Sequence, residues 1–329
     1  MKRIVLVATG GTISTRDVDG SGARPFLRPE DLLREVPGLG AVAEVEAEEF
    51  DFIPGASMTV PKMVDLSRRV TEILARPEVD GVVITHGTDT LEETAYLLHL
   101  TVPLEKPVVF TGAMRNASQI GFDGYRNLYD AIRTAGSDGA LGLGVLVVLN
   151  EEVHAARWVT KTDGQKEDTF ASPAAGPVGI AYGDRIAFLM RPPHRWVLEP
   201  RVEPEVDLIR LWAGCDDRFL HCSLAHGARG IVLETFGGGR VPPALLSAID
   251  EAVSRGVTVV ATTRCLTGGM WDMYGYPGAF RDLVRRDVLF AQDLPGHKAR
   301  LALAVCLGNR LPRDRLQAFL GEGTQPAER

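Results

Sequence analysis

Residues 81–101, GVVITHGTDTLEETAYLLHLT, decide how this chain folds. Gly81–Thr85 is a short, nearly continuous apolar run, the pattern of a strand buried on both faces of a parallel sheet. Thr90–Thr101 then places apolar residues three and four apart, the pattern of a helix laid on that sheet. The same alternation spreads outward. Ile4–Ala8, Val108–Thr111 and Gly144–Leu149 read as further strands, and Pro61–Ala75 and Gly124–Ala135 as further helices. Repeated β and α units predict an α/β fold, a doubly wound and mostly parallel sheet.

Residues 191–206 are rich in proline and show no clean period, which reads as a linker. The rhythm then resumes. Strands are predicted at Val206–Leu211, Gly230–Leu233 and Val257–Thr262, with helices at Pro243–Arg255 and Gly296–Leu307. We therefore expect a larger N-terminal domain over residues 1–190, a linker over 191–206 and a smaller C-terminal α/β domain over 207–329. After Leu320 the sequence reads as a polar frayed tail. A length of 329 residues suits two domains.

Composition narrows the class. The chain is 45% hydrophobic and 24% charged, close to globular averages, which excludes collagen, coiled coil and disorder. A net charge of −7 argues against nucleic acid and against an anionic membrane surface as partners. No apolar stretch approaches the ~20 residues of a membrane span. The run after Met1 is too short for a signal peptide, so a cytoplasmic location is expected. The 4 cysteines form no C-x-x-C pair, which suits a reducing compartment.

Ligands of open parallel sheets bind beyond the carboxyl ends of the strands. The first strand ends in Thr9-Gly10-Gly11-Thr12-Ile13. Two glycines allow a sharp turn and a close backbone approach, leaving the Thr12 hydroxyl over the crevice. A tight turn whose hydroxyl is bonded to its own backbone is the plainer reading of the same residues. No G-x-G-x-x-G dinucleotide fingerprint is present.

The second strand end, Thr85-His86-Gly87-Thr88-Asp89-Thr90, also has two readings. Thr88, Asp89 or Thr90 caps the following helix, with Glu92 or Glu93 completing a capping box. Alternatively, Thr88 and Asp89 lie beside Thr12, forming a site for nucleophilic attack on a carbonyl. A hydroxyl nucleophile needs a base, and Lys161, within Trp158-Val159-Thr160-Lys161-Thr162, is placed to serve if it is not simply a surface lysine on a hairpin. His86, His154, His221 and His226 lack ligand spacing, so no metal is expected.

Together these motifs resemble the bacterial-type L-asparaginase family, the threonine amidohydrolases. Thr9–Ile13 resembles its first signature and Gly81–Ala95 its second. Pro107–Leu128, with TGAMR and a later NLYDA, then Val159–Thr162 and Leu294–Arg300 (LPGHKAR), extend the similarity over nearly the whole chain. The chain starts at the first signature, as cytoplasmic forms do.

The resemblance implies that Thr12 is the nucleophile, with Thr88, Asp89 and Lys161 as second hydroxyl, carboxylate and base. It implies that Asp89 holds the substrate ammonium and that Gly11 and Thr88 face the scissile amide. It also implies that the first loop and Gly55-Ala56-Ser57-Met58 bind the substrate carboxylate, and that Gly87 is also a substrate-binding residue. The implied reaction converts L-asparagine to L-aspartate and ammonia without cofactor or metal, in a homodimer or homotetramer. Such a pocket is expected to pair a buried carboxylate with the substrate ammonium.

Three positions depart from the family pattern. Ile13–Leu27 contains no tyrosine, and Ala23 or a neighbour stands where relatives carry one. Gly55 replaces a serine three residues before Met58, with Ser57 nearby. Arg240 falls where several relatives contribute an asparagine from the adjoining subunit. Glutaminase-asparaginase activity, and a weakly catalytic amino-acid-binding relative, remain open as alternatives.

Overall fold

A computed structural model describes residues 1–103, 105–193 and 195–321; the expected polar tail otherwise lies outside these residues. The chain divides into two compact units, Met1–Pro200 and Arg201–Arg329.

The first unit contains strands β1 (Lys2–Gly10), β2 (Thr15–Arg16), β3 (Arg24–Pro25), β4 (Ala43–Ile53), β5 (Gly81–Thr85) and β6 (Val108–Thr111). These are followed by β7 (Val145–Leu149), β8 (Glu152–Ala155), β9 (Thr160–Lys161), β10 (Phe170–Ala171), β11 (Gly179–Tyr182) and β12 (Arg185–Phe188). Its helices are α1 (Pro29–Glu35), α2 (Val60–Leu74), α3 (Leu91–Thr101) and α4 (Gly124–Ala135).

Eight of these strands form one sheet in the order β12-β11-β8-β7-β6-β5-β1-β4. From β4 to β7 all neighbours are parallel, and β8, β11 and β12 extend the sheet antiparallel. The α/β class is thus observed. The predicted strands and helices of this unit lie within one or two residues of their expected bounds.

Side chains alternate across the sheet. Ile4, Leu6, Val83, Val109, Leu146 and Val148 pack with Leu32 of α1 and with Leu128 and Ile132 of α4. The intervening residues Val5, Val7, Val82, Ile84, Val108 and Phe110 are equally buried and face the opposite layer. Burial on both faces explains why these strands read as unbroken apolar runs.

Strand β4 went unrecognised in the sequence for the converse reason. It is an edge strand, AEVEAEEFDFI, with one face carrying carboxylates. Glu46 pairs with Arg76 at 2.7 Å and Glu48 with Arg69 at 2.7 Å, both arginines being on or just after α2. Arg28 and Lys62 engage Glu49 and Asp51. Charges of this kind shield an edge from pairing with another chain.

Between Phe188 and Val206 the described residues form no helix or strand. The second unit holds β13 (Val206–Arg210), β14 (Gly230–Thr235), β15 (Thr258–Thr263) and β16 (Leu289–Phe290), all parallel and in that order. Its helices are α5 (Arg218–Ala225), α6 (Leu246–Ser254), α7 (Phe280–Arg285), α8 (Gly296–Gly308) and α9 (Arg313–Gly321). The helix expected at Pro243–Arg255 opens as a 3-10 turn, Pro243–Leu245, before α6 begins. Two prolines at its start explain that tighter entry. At the other edge, Gln317 of α9 gives its side-chain amide to Phe290 N and O, both at 3.0 Å, and so closes β16 as a neighbouring strand would.

A wholly buried histidine directly follows β5. His86 Nδ1 donates to Gly87 O at 2.8 Å, so Nε2 is the unprotonated nitrogen, and it has no partner among the described residues. Desolvation, only partly offset by the Gly87 carbonyl, pushes its pKa down to about 4 from 6.5. The fold therefore holds the imidazole neutral, whereas the unfolded chain takes up a proton near pH 6.5. The stability this confers is present above pH 6.5 and is lost as pH falls toward 4, about 3 kcal/mol in all. Urea unfolding between pH 7 and 4.5 should show a shallower pH slope in His86→Gln, which keeps a donor for Gly87 O. Parallel slopes in the two proteins would remove this account.

Candidate functional site

Strand order locates a crevice. β1 is followed in the chain by β4 on one side of it and then by β5 on the other, so the winding reverses between β1 and β5. The carboxyl ends of those two strands form the topological switch point, where an open α/β sheet leaves room for a ligand.

The turn after β1 is sharp. Gly10 and Gly11 have φ of +100° and +85°, and Gly11 N donates to Ile53 O at 3.0 Å. A Cβ on Gly11 would stand 2.5 Å from Gly87 Cα and 2.7 Å from His86 C, so the turns after β1 and β5 lie backbone on backbone. Gly55 packs on the same peptide: its Cβ would meet Gly87 C at 2.9 Å. Thr12 and Thr88 each follow directly from one of these contacting glycines.

Thr12 opens a 3-10 turn, Thr12–Ser14. Neighbouring hydroxyls brace that turn: Ser14 Oγ donates to Gly11 O and Thr15 Oγ1 to Thr12 O, each at 2.8 Å. The plainer reading of this turn, a Thr12 hydroxyl bonded to its own backbone, is not what holds it. The side chain of Thr12 is left half-buried at the crevice.

Thr88, Asp89 and Lys161 come together. Lys161 Nζ donates to Thr88 Oγ1 at 2.9 Å and to Asp89 Oδ1 at 3.0 Å. Lys161 is not a free surface lysine, since its side chain is 17% exposed. Asp89, expected to be buried, is instead 65% exposed, because it stands at the open mouth of the crevice in the single chain. Thr88 is buried.

The capping reading also fails. Thr90 occupies the N-cap of α3 without a side-chain cap, and its Oγ1 donates to Gly55 O at 2.7 Å. That bond fastens the turn Gly55–Ser57 to the β5 turn. Gly55 is buried while Ala56 and Ser57 are exposed. Of the expected binding residues, Gly11, Gly55, Gly87, Thr88 and Asp89 thus share one continuous surface, with Ala56 and Ser57 beside it.

Some supporting residues escaped sequence reading. Asp123 accepts from Met114 N and Arg115 N, both at 3.0 Å, and Asn127 Nδ2 reaches it at 2.9 Å. It shapes the loop after β6. The i, i+4 spacing of Asp123 and Asn127 at the head of a helix was the available signal. Glu92 accepts from Lys161 N at 3.2 Å, a use no local pattern announces.

The loop lacking a tyrosine forms the β2–β3 hairpin, with Arg24 paired to Asp19 at 3.2 Å and Asp17 N on Ser118 Oγ at 2.8 Å. Ala23 lies exposed in it. In the second unit, Arg240 lies 5.2 Å from the ring centroid of Tyr274, a cation–π contact.

Chemically, the cluster offers hydroxyls, one amine and one carboxylate. The carboxylate is already bonded by Lys161 Nζ, a set suited to moving protons at a polar substrate and not to Ca²⁺ or Mg²⁺, which take six or more oxygen ligands.

Residues 3–194 match the family model described as Asparaginase, N-terminal, and residues 205–320 match the Glutaminase/Asparaginase C-terminal domain. An L-asparaginase of Bacillus licheniformis is 34% identical, with 94% of this chain aligned to 96% of that protein. L-asparaginase 2 of Bacillus subtilis is 35% identical over 98% of this chain and 87% of its own. A glutaminase-asparaginase of Pseudomonas fluorescens biotype A is 31% identical over 98% and 91%.

The glycine contact is directly testable. Gly11→Ala meets both an unfavourable φ and the Gly87 backbone, whereas Gly20→Ala, at φ +78°, meets nothing within 4 Å. Gly20→Ala should cost about 1 kcal/mol from the backbone alone, and Gly11→Ala about 2–4 kcal/mol together with most of the activity. Equal losses on urea unfolding would show that the close approach contributes nothing.

Proposed function

Starting from the fact that this chain belongs to the asparaginase family and is an amidohydrolase, we propose that it hydrolyses the side-chain amide of L-asparagine. The products are L-aspartate and ammonia. The observation that carries the reading is Lys161 Nζ held at 2.9 Å from Thr88 Oγ1 and 3.0 Å from Asp89 Oδ1, next to the turn that bears Thr12.

In this reading Lys161 acts as its free amine. The Thr12 hydroxyl oxygen attacks the amide carbon, and its proton passes through Thr88 to Lys161 Nζ. Lys161 then returns that proton to the amide nitrogen as the C–N bond breaks. The nitrogen departs as ammonia, and water completes the hydrolysis. Backbone N–H groups of the β1 and β5 turns suit the developing oxyanion, Gly11 N apart, since Ile53 O already takes it. Asp89 pairs with the substrate ammonium, and Gly55, Ala56 and Ser57 flank its carboxylate. The machinery belongs to residues 1–190.

A second reading, glutaminase-asparaginase activity, is favoured by the Pseudomonas relative. The two substrates differ by one methylene, worth about 1–3 kcal/mol in a fitted pocket. The exposure of Asp89 in the single chain supports a homodimer or homotetramer that covers the crevice. Four unpaired cysteines support a reducing, cytoplasmic setting, and no described helix is long and apolar enough to cross a membrane.

Ammonia release from asparagine, from glutamine and from a blank tests the activity directly. Aspartate binding without turnover of either amide would instead favour an amino-acid-binding protein. Thr12→Val keeps the side-chain volume and should leave thermal unfolding almost unchanged while activity drops by several orders of magnitude. Lys161→Met should lose about 10²–10⁴-fold. Combining the two should add little, because nucleophile and base act as one unit. Near-normal turnover by Thr12→Val ends this assignment.

A further inference from the structure

We infer that Glu92 is a positioning residue that sets the reach of Lys161, an inference resting on the reading of Lys161 as the base. Lys161 lies on the β9–β10 hairpin, two residues per strand, which pairs with no strand of the eight-stranded sheet. A ladder that short does not hold its own place. Within it, Thr162 N and Thr162 Oγ1 both reach Thr169 O at 2.8 Å, which fixes the hairpin's shape and not its position.

The hairpin's two ends are held by β8, through Val159 N on Ala155 O at 3.1 Å and Ser172 Oγ at 3.1 Å from His154 Nδ1, whereas Lys161 itself is held by the start of α3. Glu92 Oε1 accepts from Lys161 N at 3.2 Å, while Lys161 Nζ reaches Thr88 and Asp89. Thr88 and Asp89 lie in the turn just before α3 and Glu92 in its first turn, and Lys161 reaches all three. Both ends of Lys161, its main-chain N–H and its Nζ, are therefore held by a single five-residue segment. Glu92 is buried, and it forms no capping box. A carboxylate in the first helical turn is favoured by the dipole, so it can sit there at modest cost. Arg115, paired with Glu167 at 2.6 Å, steadies the hairpin's far end but does not touch Lys161 itself.

The consequence is geometric. If Glu92 lets go, Lys161 keeps its chemistry but its amine shifts relative to Thr88, and a displacement near 1 Å can cost about 10²-fold in rate. Glu92→Ala removes the acceptor. Glu92→Gln keeps a side-chain oxygen in the same place and removes only the charge. On the full chain with L-asparagine, Glu92→Ala should lower kcat about 10–100-fold with KM within about threefold, and Glu92→Gln should recover most of it. Hydrogen exchange at the Lys161 amide should quicken in Glu92→Ala and stay slow in Glu92→Gln.

A kcat for Glu92→Ala within twofold of the parent overturns the inference, as does an equal loss in Glu92→Gln. If Glu92→Ala does not fold, Glu92→Gln still decides: a kcat as low as that of Lys161→Met overturns the inference, and near-parent kcat with slow Lys161 exchange upholds it. Lys161→Met separates the two levels. Full activity there removes the base assignment itself, whereas its loss alongside an unaffected Glu92→Ala removes only the role given to Glu92.

Discussion

Gly11, Gly55 and Gly87 meet backbone to backbone at the carboxyl ends of three neighbouring strands, and no side chain fits between them. That contact sets the spacing of everything else in the crevice. The β1 and β5 turns approach closely enough for Thr12 and Thr88 to share one surface. The same approach lets the hydroxyl of Thr90 leave its helix end and bind Gly55 O. A helix that would ordinarily take its own cap gives that hydroxyl to a neighbouring turn. The local preference loses because the tertiary contact binds the three turns into one piece.

Around this piece, polar groups are spent on orientation. Asp123 holds two backbone amides of the β6 loop, Glu92 holds the amide of Lys161, and Thr111 Oγ1 donates to Val148 O at 2.7 Å. Each is a side chain satisfying the backbone of a different segment. Catalytic groups need such support because effective attack depends on sub-ångström placement. His86 lies just behind the loop and is held neutral by burial.

The charge pattern of the first unit follows from the same sheet. The middle strands are apolar on both faces and have no room for charge. The acidic residues therefore gather on edge strand β4, where Arg28 just before α1, Arg69 on α2 and Arg76 just after it meet them. Exposed pairs of this kind add little stability. Their role is to keep the edge from pairing with other chains. In the second unit the edge is handled by one neutral side chain, Gln317.

Reading the chain without its fold reaches far where burial is two-sided. Gly81–Thr85, Val108–Thr111 and Gly124–Ala135 are evident because a strand or helix facing apolar neighbours must itself be apolar at the right period. Thr12, Thr88 and Asp89 can be singled out as candidates by glycines beside polar groups at strand ends, and Lys161 by its place just past a strand. Their roles follow only from the family resemblance. β4 is not legible, since an edge strand with charged partners carries no apolar signature. Nor are the exposure of Asp89, the missing cap on α3 or the grip of Glu92 on Lys161. Each depends on what lies across from a residue, 35 to 69 positions away in the chain for the last two. Local sequence determines which segments can be strands, helices and turns; only the packed sheet decides which turns touch, and therefore what each polar side chain holds.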